Sequence, residues 1–126
     1  MNDQYKTRGI RGAITVEENS SDAIQKATTE LLSIILNENK IVEDDIVSVI
    51  FTLTNDLTAD FPAKAARKYF SWDDIPMICA QEIPVPGSIT LCIRVLILIN
   101  TTLSKKEIKH IYLGGARNLR PDLVAD

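Results

Sequence analysis

The sequence contains few of the residues from which enzymes most often build reactive centres. Among its 126 residues are one histidine, His110, and two cysteines, Cys79 and Cys92. Zinc sites need closely spaced histidines and cysteines, so no metal site is predicted. The five glycines form neither a phosphate-binding loop nor a dinucleotide fingerprint, which excludes the common nucleotide-binding motifs. His110 follows the basic stretch KKEIK, which favours a surface position for it.

Long apolar runs and a strong charge of one sign are also missing. No apolar run approaches the ~20 residues that a membrane span needs, and the start, MNDQYKTRGIRG, lacks the apolar core of a signal peptide. A formal net charge of −3 gives no basic footprint for nucleic acid. Both cysteines lie in apolar segments and are interpreted as free thiols of a reducing compartment. We therefore expect a cytoplasmic protein that binds neither nucleic acid nor membrane.

The composition is typical of one globular domain. The chain is 45% hydrophobic and 25% charged. A chain of this length buries roughly two-thirds of its unfolded surface, which is enough for a substantial core. No repeat, linker or low-complexity segment divides it. We therefore expect a single domain over residues 1–126, with a polar and irregular tail over residues 114–126.

Hydrophobic periodicity predicts five strands and three helices. Apolar or β-branched runs predict strands at residues 8–16, 46–54, 77–82, 89–100 and 110–113. A long amphipathic helix follows the caps at Asn19–Ser21 and extends to about Glu38. A short helix begins at Pro62, and the capping box SKKE at residues 104–107 predicts a second short one. The order βαβαββαβ predicts an α/β (α+β) protein with a mixed five-stranded β-sheet.

The predicted strands pose a packing problem. Residues 46–54 and 89–100 are apolar on both faces, whereas the long helix has an apolar stripe for only one face of the sheet. The rest of the chain is too short to cover the second face. We therefore expect that face to be buried against other subunits.

Arg94 is the residue that fits a buried strand least well. It lies inside LCIRVLILIN, residues 91–100, and a guanidinium cannot lose its proton to escape burial. Removing such a cation from water costs several kcal/mol unless an anion meets it. For this residue alone, a structural ion pair with Glu82 and an anionic ligand are equally good explanations.

Further cations favour a ligand. Arg11 also lies inside a strand, and Lys64 and Arg67 share one face of the short helix, although solvent exposure is the simpler explanation for that pair. Tyr112 lies in the fifth strand, where the default is a core position with its hydroxyl at the rim. Two strand arginines and one carboxylate suit a dianionic small molecule that carries a hydroxyl. They do not suit acid–base hydrolysis, which usually needs a histidine or a pair of carboxylates.

Several separate blocks of the sequence resemble a known family. RGIRGAITVE, LTADFPAKAAR, CAQE, CIRV and HIYL followed by LRPDL occur in the order and spacing of the AroH-class chorismate mutases, the small, monofunctional, trimeric enzymes of bacilli and their relatives. The resemblance extends from Arg8 to Leu123. It implies a single chorismate mutase domain that forms a homotrimer with a barrel-like core and active sites between neighbouring subunits.

The resemblance also implies an activity. Members of this family convert chorismate to prephenate, an intramolecular Claisen rearrangement in the biosynthesis of phenylalanine and tyrosine, without a cofactor, a metal or a covalent intermediate. Such an enzyme selects the compact conformer of its substrate and stabilises the negative charge that develops on the ether oxygen. A pericyclic step of this kind fits the shortage of nucleophile, base and metal motifs.

Individual residues take roles from the same resemblance. Arg94 and Glu82 resemble the catalytic pair, with the arginine beside the breaking ether bond and the glutamate accepting from the ring hydroxyl near Cys79. The other matched residues resemble substrate-binding positions: a pair that holds a carboxylate (Arg11 and Tyr112), a wall contributed by the adjacent subunit (Phe61, Lys64 and Arg67) and a tail segment that orders over the ligand (Leu119 and Arg120).

Two other functions remain open on the sequence alone. Trimeric imine/enamine deaminases resemble the βαβαββ arrangement and also use an arginine on a carboxylate, although the RGIRGA and FPAKAAR blocks are not expected of them. A non-catalytic regulator would use the same basic cleft to bind a metabolite. Turnover of chorismate distinguishes a mutase from both.

Overall fold

The sheet and the main helices predicted from the sequence are present in the computed structural model, which describes residues 4–123. The strands are β1 (Lys6–Thr15), β2 (Ile46–Leu53), β3 (Met77–Gln81), β4 (Cys92–Thr101) and β5 (Ile111–Leu113). The α-helices are α1 (Ser21–Asn39) and α2 (Pro62–Phe70), and short 3-10 helices occupy Glu43–Asp45, Gly114–Asn118 and Pro121–Leu123. The prediction of an α+β protein with a mixed five-stranded sheet is confirmed.

Helix α1 begins and ends where its sequence provides caps. The Ser20 side chain accepts a hydrogen bond from the Ala23 backbone N–H at 3.2 Å, which satisfies one free donor of the first turn. At the other end Lys40 adopts a left-handed conformation with a φ of 51°, and its N–H returns to the Asn37 carbonyl. The predicted long helix is therefore confirmed to within a residue or two at each end.

Strand β4 lies at the centre of the sheet. The strand order is β3-β2-β4-β1-β5, with β4 antiparallel to both of its neighbours and each edge strand parallel to the strand beside it. The register pairs Arg94 with Ala13 of β1 and with Thr52 of β2. Paired residues project to the same face of a sheet, so these three side chains share one face.

Both helices pack on the face of the sheet opposite to Arg94. The main core joins α1 and α2 to strand residues of the alternate parity, among them Phe51 and Ile97. Gly12 permits the close approach of α1, because a Cβ there would lie 2.6 Å from Cδ1 of Ile35 and 3.0 Å from Cγ1 of Val95. A larger residue at position 12 would force the Ile35 side chain to move and would disturb its packing against β1.

The Arg94 face of the sheet has no α-helix packed on it within residues 4–123. Ile50, Leu96 and Leu98 remain partly exposed there, and Ile78 on the edge strand β3 is 62% exposed. The chain itself thus covers one face of its sheet, as the sequence indicated. A partly exposed apolar face of this kind is typical of a surface that associates with another molecule.

The fourth strand begins later than predicted, at Cys92 and not at residue 89. Leu91 adopts a left-handed conformation with a φ of 49°, which interrupts the extended run. Its N–H donates to the carboxylate of Asp56, at 3.0 Å from one oxygen and 3.2 Å from the other. This long-range hydrogen bond stabilises a turn that the apolar sequence does not reveal.

The prediction of a second short helix from the sequence SKKE is wrong. Ser104 donates its backbone N–H to the Glu107 carboxylate at 2.8 Å, so half of the capping box forms, but residues 105–107 make only a turn. Ile108 then enters the core and the chain extends into β5, so too few residues remain for a helix to form.

The tail predicted as irregular carries two 3-10 turns, and residues 124–126 lie outside the described part of the chain. None of the described helices has the length and apolarity needed to cross a bilayer.

Candidate active site

The side chains of Arg94, Glu82 and Thr52 meet on the uncovered face of the sheet. Glu82 follows β3, and its backbone N–H continues the strand pairing by donating to the Leu53 carbonyl at 2.8 Å. Its Oε2 atom accepts a hydrogen bond from Thr52 Oγ1 at 2.6 Å and lies 2.9 Å from Nε of Arg94. The ion pair considered from the sequence is therefore present.

The ion pair with Glu82 does not satisfy all the hydrogen-bond donors of the Arg94 guanidinium. Its Nε atom is buried, and no acceptor among the described residues meets it with hydrogen-bond geometry, although the Glu82 oxygen is close. The Arg94 side chain is 42% exposed, whereas that of Glu82 is 16% exposed. A cation that serves only to neutralise a carboxylate would be expected to align with it. Arg94 contacts Glu82 through Nε alone and stays partly exposed, so this ion pair does not account for all of its donors.

Arg11 and Tyr112 lie beside Arg94 on the same face. Together with Ile50, Thr52 and Leu96 they line a cleft of about 360 Å³, called here the Arg94 cleft. The register explains the grouping, because Ala13 of β1 pairs with both Arg94 and Tyr112. The structure thus brings together four of the predicted site residues: Arg11, Glu82, Arg94 and Tyr112.

The C-terminal segment lies next to this cleft. Leu119 packs against a small buried cluster that contains Ala13 and Tyr112. Arg120 forms a two-pronged salt bridge with Asp122, at 3.0 Å from Nε and 2.8 Å from Nη2, and this pairing raises the pKa of Arg120 and lowers that of Asp122. The predicted tail residues are therefore near the cleft, with Arg120 bound to a neighbour in the chain.

The remaining predicted residues gather around helix α2. Phe61 is 65% exposed at the start of the helix, and Lys64 and Arg67 are exposed on its outer surface. Cys79 pairs in register with Phe51, a core residue, and so projects to the side of the sheet that carries the helices. Phe61, Cys79 and Gln81 line a second cavity of about 330 Å³ with Asp60 and Leu57, called here the Phe61 cleft.

The structure therefore separates the predicted site into two groups. Cys79 does not lie near the Glu82 carboxylate within one chain, because an odd spacing of three residues along a strand puts the two side chains on opposite faces. A molecule bound against Arg94 is on the other side of the sheet from the Phe61 cleft. Within one chain the Arg94 cleft and the Phe61 cleft therefore do not meet.

Asp60 links helix α1 to the Phe61 cleft. Its carboxylate accepts hydrogen bonds from Ser21 Oγ, from Gln25 Nε2 at 2.8 Å and from the Phe61 backbone N–H at 2.8 Å, and it lies 3.5 Å from Nζ of Lys64. The Ser21 hydrogen bond, followed by those of Gln25 and Phe61 and the charge of Lys64, lowers the pKa of Asp60 from 3.8 to about 2 against the opposing effect of burial. The network orders the residues from which α2 begins.

We expect Asp60→Asn to lower the free energy of unfolding at neutral pH by about 1–2 kcal/mol, because a charged acceptor of several hydrogen bonds is lost. The folded-state pKa is depressed, so the wild-type advantage is present above the ordinary pKa of 3.8 and is lost progressively as the pH falls from there through about 2. Urea titrations of wild type, Asp60→Asn and the exposed-site control Asp73→Asn at pH 7 and pH 2.5 measure this. An equal difference at both pH values would contradict the assignment.

Burial keeps both thiols protonated. It raises the pKa of Cys79, against the nearby charge of Arg67, and raises the pKa of Cys92 to about 11. Cys92 is fully buried beside Ala13 and Tyr112, and both cysteines are free. A protonated thiol is a poor nucleophile and Cys92 is in addition enclosed, so neither cysteine is suited to covalent catalysis.

We therefore expect Cys92→Ala and Cys79→Ser each to keep at least about a tenth of the wild-type kcat/KM, because no thiolate is required. The rate of substrate loss, with circular dichroism to confirm folding, measures this for each variant. A covalent adduct between either cysteine and the substrate, trapped during turnover and seen as a mass increase, would contradict it.

Three residues of the site region were not identified from the sequence. Thr52 donates a hydrogen bond to Glu82. The sequence carries a signal for it, because Thr52 and Ser48 are polar residues on the same face of the otherwise apolar strand β2. Asp60 binds residues of α1 that lie far away in the sequence, which no local pattern indicates. His110 was predicted at the surface, yet it is half-buried and its Nδ1 accepts the Arg11 backbone N–H at 2.9 Å.

The Arg94 cleft combines two guanidiniums, a phenol and one carboxylate around an apolar floor. Such a cleft suits a small molecule with anionic groups for the arginines and a hydroxyl for the carboxylate. Fixed positive charge in a partly dry cleft also stabilises negative charge that develops during a reaction. The fold is that of a small α+β protein, and its cleft is suited to bind an anionic metabolite.

Comparison with known proteins identifies the family. The family model described as Chorismate mutase type I matches residues 7–123. Chorismate mutase AroH of Thermus thermophilus is 50% identical over 117 residues, which cover 92% of this chain and 95% of that protein. Chorismate mutase AroH of Bacillus subtilis (strain 168) is 42% identical over 116 residues, which cover 92% of this chain and 91% of that protein.

A solved structure agrees with the sequence matches. The chorismate mutase from Clostridium thermocellum, Cth-682, superposes with a TM-score of 0.86 at 49% identity, and the match covers 88% of this chain and 98% of that one. The chain belongs to the type I chorismate mutase family. Its activity is that of an isomerase, the rearrangement of chorismate to prephenate in aromatic amino acid biosynthesis. These matches give no support to the deaminase and regulator alternatives.

Proposed function

We propose that this chorismate mutase works as a homotrimer in which each active site is composed of the Arg94 cleft of one subunit and the Phe61 cleft of its neighbour. The observation that carries the proposal is the separation of the two clefts on opposite sides of one sheet. A substrate that contacts residues of both groups has to lie between two copies of the chain. A head-to-tail arrangement that closes into a ring gives every subunit the same pair of contacts.

The apolar residues left exposed support this arrangement. Ile78 of β3 and the two residues Ile83 and Val85 in the following loop are 62%, 83% and 57% exposed. The same side of the sheet carries the partly exposed Ile50 and Leu96. Burying this surface against a neighbouring subunit releases water from apolar area, which is the main driving force of association.

The Arg94 cleft provides charges that match chorismate group by group. We assign Arg11 and Tyr112 to the carboxylate of the enolpyruvyl side chain and Glu82 to the ring hydroxyl. Arg94 then faces the ether oxygen that leaves the ring carbon. From the neighbour, Phe61, Lys64, Arg67 and Cys79 form the opposite wall, and Leu119 and Arg120 close over the ligand.

In this arrangement the chain's own side chains lower the barrier in two ways. The anchored side-chain carboxylate, the ring hydroxyl held by Glu82 and an apolar floor select the compact, chair-like conformer, which is a positioning effect. The guanidinium of Arg94 interacts more strongly with the ether oxygen as negative charge builds on it, so it stabilises the transition state more than the ground state. The contact with Glu82 orients Arg94 for this task. No side chain has to donate or accept a proton.

We further propose that residues 1–126 act as one domain in the cytoplasm. Two free thiols in one small protein are typical of a reducing compartment. Chorismate is the only partner that this function requires besides the other subunits, and the reaction as written needs no cofactor.

Light scattering on the purified protein tests the assembly. The expected mass is three times the 14.0 kDa of the chain. Dilution should not lower the specific activity until the trimer dissociates. The specific activity and the fraction of trimer should then fall together, because each proposed site needs two subunits. A catalytically active species with the mass of one chain would contradict the proposal.

A further inference from the structure

His110 binds the backbone of a substrate-binding strand through its side chain. The Arg11 N–H donates to Nδ1 of His110 at 2.9 Å. Strand β5 begins one residue later, where Ile111 pairs with Gly12 in the parallel ladder. The imidazole nitrogen therefore replaces the carbonyl that a longer β5 would have offered to Arg11, and it holds β1 at the point where the Arg11 side chain departs.

The imidazole is presented by a fixed segment of backbone. Asn39 at the end of α1 donates to the Lys109 carbonyl at 2.9 Å and accepts from the Lys109 N–H at 2.8 Å. On its other side the chain enters β5. His110 thus lies between a residue bound to the end of α1 and the start of β5. Its hydrogen bond connects the Arg11 backbone to this segment.

Only the neutral form of His110 can make this bond. When Nδ1 accepts, the proton of the neutral ring resides on Nε2. Protonation would add a hydrogen to Nδ1, so both ring nitrogens would become donors. The Arg11 N–H would then lose its acceptor. The hydrogen bond and the charge of His110 are therefore mutually exclusive.

The surroundings of His110 favour the neutral ring. The charged groups around it are Arg8 and Arg11 on β1, Lys105 in the preceding turn, and Arg120 with its partner Asp122 on the tail. Burial first, and then the charges of Arg11 and Arg120, lower the pKa of His110 below 6.5. At neutral pH the ring is therefore uncharged and able to accept from Arg11.

We propose that His110 is a positioning residue that fixes Arg11 for substrate binding while its ring is neutral and releases Arg11 when the ring is protonated. This inference rests on the role of Arg11 proposed above. The reaction needs no proton transfer, so the single histidine has no acid or base role in it. The proposal gives this histidine a function in substrate affinity and in the pH dependence of that affinity. The Arg94 side chain does not take part, so the effect concerns binding more than the chemical step.

Steady-state kinetics on two variants separate this role from a general structural one. We expect His110→Ala to raise KM for chorismate about three- to tenfold with kcat within about twofold, the effect of one lost hydrogen bond to the strand. His110→Asn should recover most of the loss, because its amide oxygen can occupy the position of Nδ1. Circular dichroism and light scattering confirm folding and assembly of both variants.

The pH profile gives the sharper readout. In wild type, kcat/KM should fall as the pH drops through the lowered pKa of His110, mainly through a rise in KM, since protonation removes the acceptor of Arg11. An asparagine does not titrate, so His110→Asn should lack this acid limb. The carboxyl groups of the substrate ionise at about pH 3.5 and do not contribute above pH 5.

Arg11→Ala distinguishes the possible failures. If Arg11→Ala leaves KM unchanged, the proposed role of Arg11 is wrong. If Arg11→Ala raises KM but His110→Ala and His110→Asn match wild type in KM and in pH profile, the inference about His110 is overturned and the proposed site stands. A fall in kcat alone in His110→Ala would also overturn it. If His110→Ala fails to fold, the profile of His110→Asn decides.

Discussion

Replacement of Arg94 by methionine is expected to lower kcat by at least ~10²–10³-fold, roughly 3–4 kcal/mol, by analogy with the loss of one oxyanion donor. KM should change much less, because the lost interaction grows only as the ether bond breaks. The methionine keeps most of the volume and removes only the charge and the donors. Steady-state kinetics with circular dichroism measure this, and Arg117→Met on the exposed surface of the tail provides a matched control.

Two further variants separate the catalytic role of Arg94 from its pairing with Glu82. Arg94→Lys still neutralises a carboxylate, but it lacks the planar guanidinium, so a catalytic Arg94 predicts a large loss of kcat and a structural one predicts little. The double variant Arg94→Met with Glu82→Gln should be close to wild type in stability if the pair is only structural. Near-wild-type kcat in a folded Arg94→Met protein would return this arginine to the role of a structural counter-ion.

Two inactive variants are expected to restore activity to each other. In trimers reassembled from equal amounts of Arg94→Met and Arg67→Ala, about a quarter of the sites should combine an intact Arg94 cleft with an intact α2 wall from the neighbour. This expectation follows from the position of the two residues on opposite sides of one sheet. Dissociation and reassembly, followed by the chorismate assay, measure the recovery.

The control for this experiment uses two residues of the same cleft. Arg94 and Glu82 contact each other within one chain, so mixed trimers of Arg94→Met and Glu82→Gln contain no site with both residues intact. They should recover nothing. Mixed trimers of the first pair that form but show no recovery, or recovery in the control pair, would show that the sites are not shared between neighbours in the proposed way.

Residues whose position depends on strand alternation were predicted well from the sequence. Arg94 and Arg11 stand out because each is a cation inside a strand, and the register brings them to one cleft with Tyr112. The long helix, the buried strands and the uncovered face follow from apolar periodicity alone. Even the separation of Cys79 from Glu82 was available, since residues three apart on a strand face opposite ways.

Features that depend on distant partners were not predictable. The late start of β4 requires the Asp56 carboxylate, which lies 35 residues before Leu91 in the chain. SKKE forms the hydrogen bond of a capping box without a helix because Ile108 is drawn into the core. His110 looked like a surface residue beside three lysines, and its hydrogen bond joins positions 99 residues apart. Local patterns report local preferences, which tertiary contacts override.

The rate of chorismate loss with purified protein tests the central claim most directly. We expect conversion to prephenate, identified as the product, far above the spontaneous rate, with the same kcat in the presence of EDTA and without added cofactor. That result would show that the side chains of the assembled clefts are sufficient for the rearrangement. Chorismate loss no faster than the spontaneous reaction, from protein that is folded and trimeric, would contradict the account.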